Sequence, residues 1–157
     1  HLELQGVNGE VVAGAITDKD GVCRFNVDFV PFGQGVTFLG RIMGNKALNV
    51  VWGLLHIVCG KTVMVKTYTI DTLIQNLKLA EVDILQMDIQ GAEMQAIKGA
   101  LGALQAGYFS YLMIGTHHKS INKELNAMLS KYYDCKFDLL PQNGCDGLQI
   151  YYRKKIQ

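Results

Sequence analysis

The 157-residue chain is long enough for one domain with a sizeable core. Apolar residues make up 49% and charged residues 18%, which excludes a disordered or highly charged class. The net charge is +1 and the one basic run is Arg153-Lys154-Lys155 at the C-terminal end, so no nucleic-acid partner is expected.

No apolar stretch reaches the roughly 20 residues that cross a bilayer. The most apolar one, Asn49 to Cys59, is cut short by His56 and by the flanking Gly60 and Lys61, and reads as a covered strand or packed loop. No membrane partner is expected. The N-terminus shows no charged region followed by an apolar core, so no signal peptide is read. Cys23, Cys59, Cys135 and Cys145 lack the C-x-x-C spacing of a zinc site. Free thiols in a reducing, cytoplasmic compartment are expected, with a Cys135–Cys145 bridge as the alternative.

In chain order, Val11 to Ile16 and Val22 to Val27 read as strands around the turn Asp18-Lys-Asp-Gly21. Residues 31 to 60 are Gly-rich without a clean period and read as a long excursion with short strands. Val63 to Tyr68 alternates as a strand. Asp71 stands at an N-cap position, before the helical face of Leu73, Ile74 and Leu77. Val82 to Ile89 reads as a compact strand centred on Ile84 and Leu85 and ended by Gly91. One helix follows, carried by Ala92, Ala96, Ile97, Ala100, Leu101 and Leu104 and stopped by Gly107. Tyr108 to Ile114 is apolar nearly throughout, as in a strand covered on both faces. Ser120 reads as the cap of a helix with an Ile121, Leu125, Met128, Leu129, Tyr132 stripe. Phe137 to Leu140 and Leu148 to Tyr152 form a hairpin around Pro141, Asn143-Gly144 and Asp146-Gly147. Alternating strands and helices from Val63 onward imply an α/β fold with a mostly parallel sheet and a C-terminal β-hairpin.

Ligands of open parallel sheets bind outside the carboxyl ends of the strands. Three such ends matter: Thr17-Asp18, Asp88-Ile89-Gln90-Gly91 and Gly115-Thr116-His117-His118. Asp88 closes an apolar strand just before a glycine turn into a helix. A carboxylate there can take a proton from a hydroxyl, hold a metal, face a sulfonium methyl group, or merely cap the helix. Glu93 reads as favourable charge at the positive end of that helix. Of the adjacent His117 and His118, at most one faces the site, and it could serve as general base. His56 reads as a hydrogen-bonded core residue. The spacing assigns no metal ligand set. G-x-G-x-x-G, G-x-x-x-x-G-K-[ST] and G-x-S-x-G are all absent.

Thr69-Ile-Asp-Thr-Leu-Ile74, Val82-Asp-Ile-Leu-Gln-Met-Asp-Ile-Gln-Gly-Ala-Glu93 and Ile97-Lys-Gly-Ala100 resemble the FkbM family of methyltransferases. That family carries T-[IL]-D-x-L-[IL], then D-x-[LI]-K-[ILM]-D-[IV]-[EQ]-G-[AY]-E, then [LI]-x-G-[AS]. Ile114-Gly-Thr-His117 and Ala15-Ile-Thr-Asp18 with Asp20-Gly21 also fit, and Gln86 stands where the family has Lys. The resemblance implies a Rossmann-like class I fold with strand order 3-2-1-4-5-7-6. It implies S-adenosylmethionine as cofactor and a hydroxyl of a sugar or secondary metabolite, a small-molecule or glycan acceptor, as the target. Asp88, Gln90 and His117 then correspond to the catalytic end of the sheet. Ala15, Ile16, Thr17 and Asp18 correspond to the segment near the adenine.

The family's first two strands and glycine-rich loop have no counterpart, and Leu2 to Val7 reads as the end of a crossover helix. Residues 1–157 are therefore expected to be a single domain truncated at the N-terminus, the C-terminal two-thirds of a methyltransferase domain. The alternative is a non-catalytic binding or assembly module that keeps part of the fold. It would join partners, including copies of itself in a homo-oligomer, through an open first strand.

Overall fold

A computed structural model describes residues 9–26, 62–142 and 144–154. The excursion over 31–60, His56, Cys59, Val27, Asn143 and the segment Leu2 to Val7 lie outside the described residues. The strands are β1 (Ala15–Ile16), β2 (Gly21–Asn26), β3 (Thr62–Tyr68), β4 (Val82–Met87), β5 (Phe109–Thr116), β6 (Tyr133–Leu139) and β7 (Gly147–Arg153). The helices are α1 (Ile70–Asn76), α2 (Glu93–Lys98), α3 (Leu101–Gln105) and α4 (Lys119–Leu129).

Among the described residues two sheets form, ordered β1-β3-β2 and β4-β5-β7-β6. The strands beginning near Val63, Val82 and Tyr108 are linked by helices, and β4 and β5 are parallel neighbours, as expected. The closing hairpin β6–β7 is also present, with β7 antiparallel to β5. The pairings among the described residues are nevertheless mixed, two parallel and three antiparallel, so parallel strands do not dominate. The reason is local. β2 returns against β3, and the terminal hairpin places β7 between β5 and β6.

Several boundaries differ from the expectation for physical reasons. Val11 to Ala13 are exposed and only Ala15–Ile16 pair, because β1 contacts β3 over just two residues. Thr69, not Asp71, caps α1: its hydroxyl accepts the Thr72 N–H at 3.0 Å. Asp71 acts one helix away instead, where its two oxygens accept the Gly102 and Ala103 N–H groups at 2.8 Å each. Those donors belong to the first turn of α3 and would otherwise be unpaired. The single helix expected after Gly91 is broken into α2 and α3 at Gly99-Ala100. Gly99 packs directly on the Thr17 carbonyl, in space that a Cβ would occupy. His118, not Ser120, is the N-cap residue of α4.

The core lies between the β4–β7 sheet and the helices. Ile97, Leu104, Leu112, Ile114, Leu125, Leu129 and Tyr151 are fully buried. Each such aliphatic side chain stabilises the fold by about 1.5–3 kcal/mol. Among the described residues only one face of this sheet is covered. Ile84 and Tyr111 are cross-strand partners with relative exposures of 59% and 53%. The apolar run of β5 therefore alternates between a buried and a half-open face rather than being covered on both. Cys23, Cys135 and Cys145 are free thiols, which excludes the Cys135–Cys145 bridge. Among the described residues no helix is long and apolar enough to cross a membrane.

Asp20 ties the turn before β2 to the start of α1. Its carboxylate accepts the Thr69 N–H at 2.7 Å and the Thr72 hydroxyl at 2.6 Å. These bonds, the hydroxyl first, hold its pKa below the ordinary aspartate value. A depressed folded pKa gives stability that is present above the unfolded value of about 3.9 and lost as pH falls through the lower folded value. In thermal melts from neutral to acid pH, the advantage of the wild type over Asp20→Asn is expected to shrink below about pH 4. A difference that stays constant across that range would contradict this linkage.

Candidate functional site

The site forms where the carboxyl ends of β4 and β5 meet the start of β7. Register alone brings its parts together. In the parallel pair Met87 lies beside Ile114, so Asp88 follows on beside Gly115. Gly115 leaves room for it: a Cβ there would stand 3.2 Å from the Asp88 carboxyl carbon. In the antiparallel pair Thr116 lies opposite Gly147. His117 is therefore brought next to Asp146.

The turn after β4 is unusual. Gln90 has φ +56° and Gly91 has φ +97°, both in the left-handed region. A non-glycine residue there costs on the order of 1 kcal/mol and is held by its surroundings. The fold of this turn aims the Ile89 and Gly91 N–H groups at one oxygen, Glu93 Oε1, at 3.2 and 3.1 Å. Asp88 makes no capping bond. Ala92 is the N-cap residue of α2, which has no side-chain cap, so the structure removes the reading of Asp88 as a cap.

His117 is the centre of the cluster. Its Nε2 lies 3.0 Å from Asp88 Oδ1 and 3.4 Å from Glu93 Oε1, and its Nδ1 lies 2.8 Å from Asp146 Oδ1. The His117 side chain is 12% exposed, that of Glu93 0% and that of Asp88 61%. Burial pulls the imidazole pKa down. The hydrogen bond to Asp146 and the charges of Glu93, Asp146 and Asp88 outweigh burial and hold the pKa above the ordinary histidine value. Asp88, Glu93 and His117 each offer a ligand atom, all within 4.8 Å of one another, so these three could also hold a metal ion.

Beside the cluster opens a cleft of about 470 Å³, lined by His117, His118, Pro141, Gln142, Cys145 and Asp146 among others. His118 is exposed at the mouth and outside the cluster, so one histidine of the pair faces inward. Gln90 is exposed, with Nε2 3.5 Å from Asp88 Oδ1. Asp88, Gln90 and His117 are thus brought together. Ala15 to Asp18 are not part of this cluster. Thr17 packs on Gly99 at the C-terminal end of α2, whereas Glu93 stands at its N-terminal end, about 9 Å away by helix rise.

Glu93 and Asp146 are the members that sequence reasoning passed over. Glu93 looked like ordinary helix-end charge, and Asp146 like turn chemistry. The signal available for Asp146 was the hairpin itself: once β7 pairs with β5, the residue before Gly147 must face the residue after Thr116.

Comparison with protein families gives a match to the methyltransferase FkbM domain over residues 44–139. No curated protein and no solved structure matches the chain. The matched segment spans more than half of the sequence and includes Asp88, Gln90, Glu93 and His117. β4, β5, the turn after β4 and α2 fall within that match, with Asp146 and β7 beyond its end, and the chain belongs to the FkbM methyltransferase domain family.

Proposed function

We propose that the chain is an S-adenosylmethionine-dependent O-methyltransferase with a Rossmann-like class I fold, acting on a hydroxyl of a sugar or secondary metabolite. The observation that carries this reading is the exposed Asp88 carboxylate, held by His117 at the strand ends of a methyltransferase-family domain. The strand order β4-β5-β7-β6 supports the class I assignment. The donor set suits a sulfonium: three carboxylates surround one imidazole, which leaves negative charge beside the cleft.

When bound, S-adenosylmethionine supplies a methyl group on a positively charged sulfur. Held beside Asp88, the acceptor oxygen would receive that methyl group, with the leaving sulfur retaining its electron pair. Asp88 takes the hydroxyl proton. Both nitrogens of His117 are engaged by carboxylates, so its part is to hold Asp88 in place. Gln90 and the polar cleft orient the acceptor, which supplies most of the rate by positioning. In this reading Ala15, Ile16, Thr17 and Asp18 lie near the adenine. The free thiols of Cys23, Cys135 and Cys145 support a cytoplasmic setting.

The test is formation of S-adenosylhomocysteine by the protein with a panel of polyols and glycosides. Product that requires a free hydroxyl is expected. Equal product with the corresponding deoxy or methoxy compounds would overturn O-methylation.

A further inference from the structure

We propose that Asp88, Glu93 and His117 form a binding site for one divalent first-row transition-metal cation, of the Mn²⁺ or Zn²⁺ class. The inference goes beyond methyl transfer and does not depend on it.

Metal–ligand bonds of about 2.1 Å put neighbouring donors about 3.0 Å apart at right angles and about 3.4 Å apart at a tetrahedral angle. The His117 Nε2 separations from Asp88 Oδ1 and Glu93 Oε1 are 3.0 and 3.4 Å. All three donors lie within 4.8 Å of one another, and the exposed Asp88 is free to rotate inward to close the remaining edge.

Glu93 is fully buried, and its Oε2 has no hydrogen-bond partner among the described residues. Buried carboxylate oxygens are costly to leave unpaired, and native structures rarely do so. The other oxygen, Oε1, is fixed by the Ile89 and Gly91 N–H groups, so the carboxylate is held rigidly at the cluster. A cation held by both Glu93 oxygens together supplies the missing partner.

His117 Nδ1 donates to Asp146 Oδ1 at 2.8 Å when Nε2 carries the lone pair. A carboxylate behind a ligating histidine fixes its tautomer and orientation in this way. Asp88 is 61% exposed, so water can reach the remaining coordination positions. One imidazole with two carboxylates suits Mn²⁺, Fe²⁺ or Zn²⁺ better than Mg²⁺, which favours oxygen ligands and retained water.

The competing arrangement is an imidazolium that simply pairs with the surrounding carboxylates. Chelator-treated protein titrated with Mn²⁺ separates the two, with bound ion read from loss of the free-ion paramagnetic resonance signal. One equivalent is expected to bind. Asp146→Asn is expected to weaken binding by about 10- to 100-fold, and Glu93→Gln and His117→Gln by more. Glu93→Gln keeps an acceptor for the two N–H groups, and thermal melts report whether each variant is folded. Should a variant fail to fold, substoichiometric Mn²⁺ in the wild type must selectively broaden the His117 ring resonances. No binding of Mn²⁺ or Zn²⁺ at millimolar concentration would overturn the site, as would affinity unchanged in the folded variants or broadening elsewhere. Methyl transfer by a protein that binds no metal would remove this inference and leave the proposed function standing.

Discussion

Asp88→Asn is expected to lower methyl-transfer turnover by about 10²-fold or more, the scale of a lost general base. The amide keeps the size of the side chain and can still accept a hydrogen bond from His117 Nε2, but it cannot take a proton. The thermal midpoint is expected to move little. Asp88 is 61% exposed and forms no helix cap. Partly exposed ion pairs of this kind contribute about 0–1 kcal/mol. Turnover and melting measured on the same preparation decide the matter. A variant that keeps near wild-type turnover would return Asp88 to a structural role.

Gly147→Ala is expected to destabilise the protein by about 1–3 kcal/mol, the cost of overpacking a close contact. A Cβ at this position would stand 2.5 Å from the Leu139 carbonyl oxygen, 2.5 Å from Thr116 Oγ1 and 2.6 Å from Pro141 Cδ. Leu139 and Thr116 belong to the strands on either side of β7, so neither can withdraw without breaking its pairing. The substitution should also displace Asp146, the next residue back, and with it the hydrogen bond that orients His117. Denaturant unfolding measures the first effect. A midpoint and slope equal to the wild type would show that the hairpin end is looser than this packing indicates.

The order of elements from Val63 onward was legible because each carries its own period. Alternation marks β3, and the i, i+3, i+4 recurrence around Leu125 and Leu129 marks α4. The parallel β4–β5 pair follows from the helical segments between the two strands. What local pattern did not carry was the effect of neighbours distant in sequence. The helix after Gly91 stops at Gly99, where Thr17 packs against the backbone and the Gly99 carbonyl accepts the Asp71 N–H. Asp71 was free to cap a different helix only because α3 begins beside it. The apolar Ile84 and Tyr111 gave no hint that their face of the sheet is half open, since composition does not say which face another element will cover. Within the site, Asp88, Gln90 and His117 were legible from their position at strand ends. Glu93 and Asp146 were not, because their roles depend on a left-handed turn and on the β5–β7 register.

The cluster around His117 is proposed as the centre of methyl transfer. Its most direct test is the rate of S-adenosylhomocysteine formation by wild type and His117→Gln, with one hydroxyl acceptor at one pH, on proteins shown to be folded by their melts. A fall of about 10²-fold is expected, because without the imidazole Asp88 loses the group that holds it. A folded His117→Gln protein that forms product at the wild-type rate would contradict it.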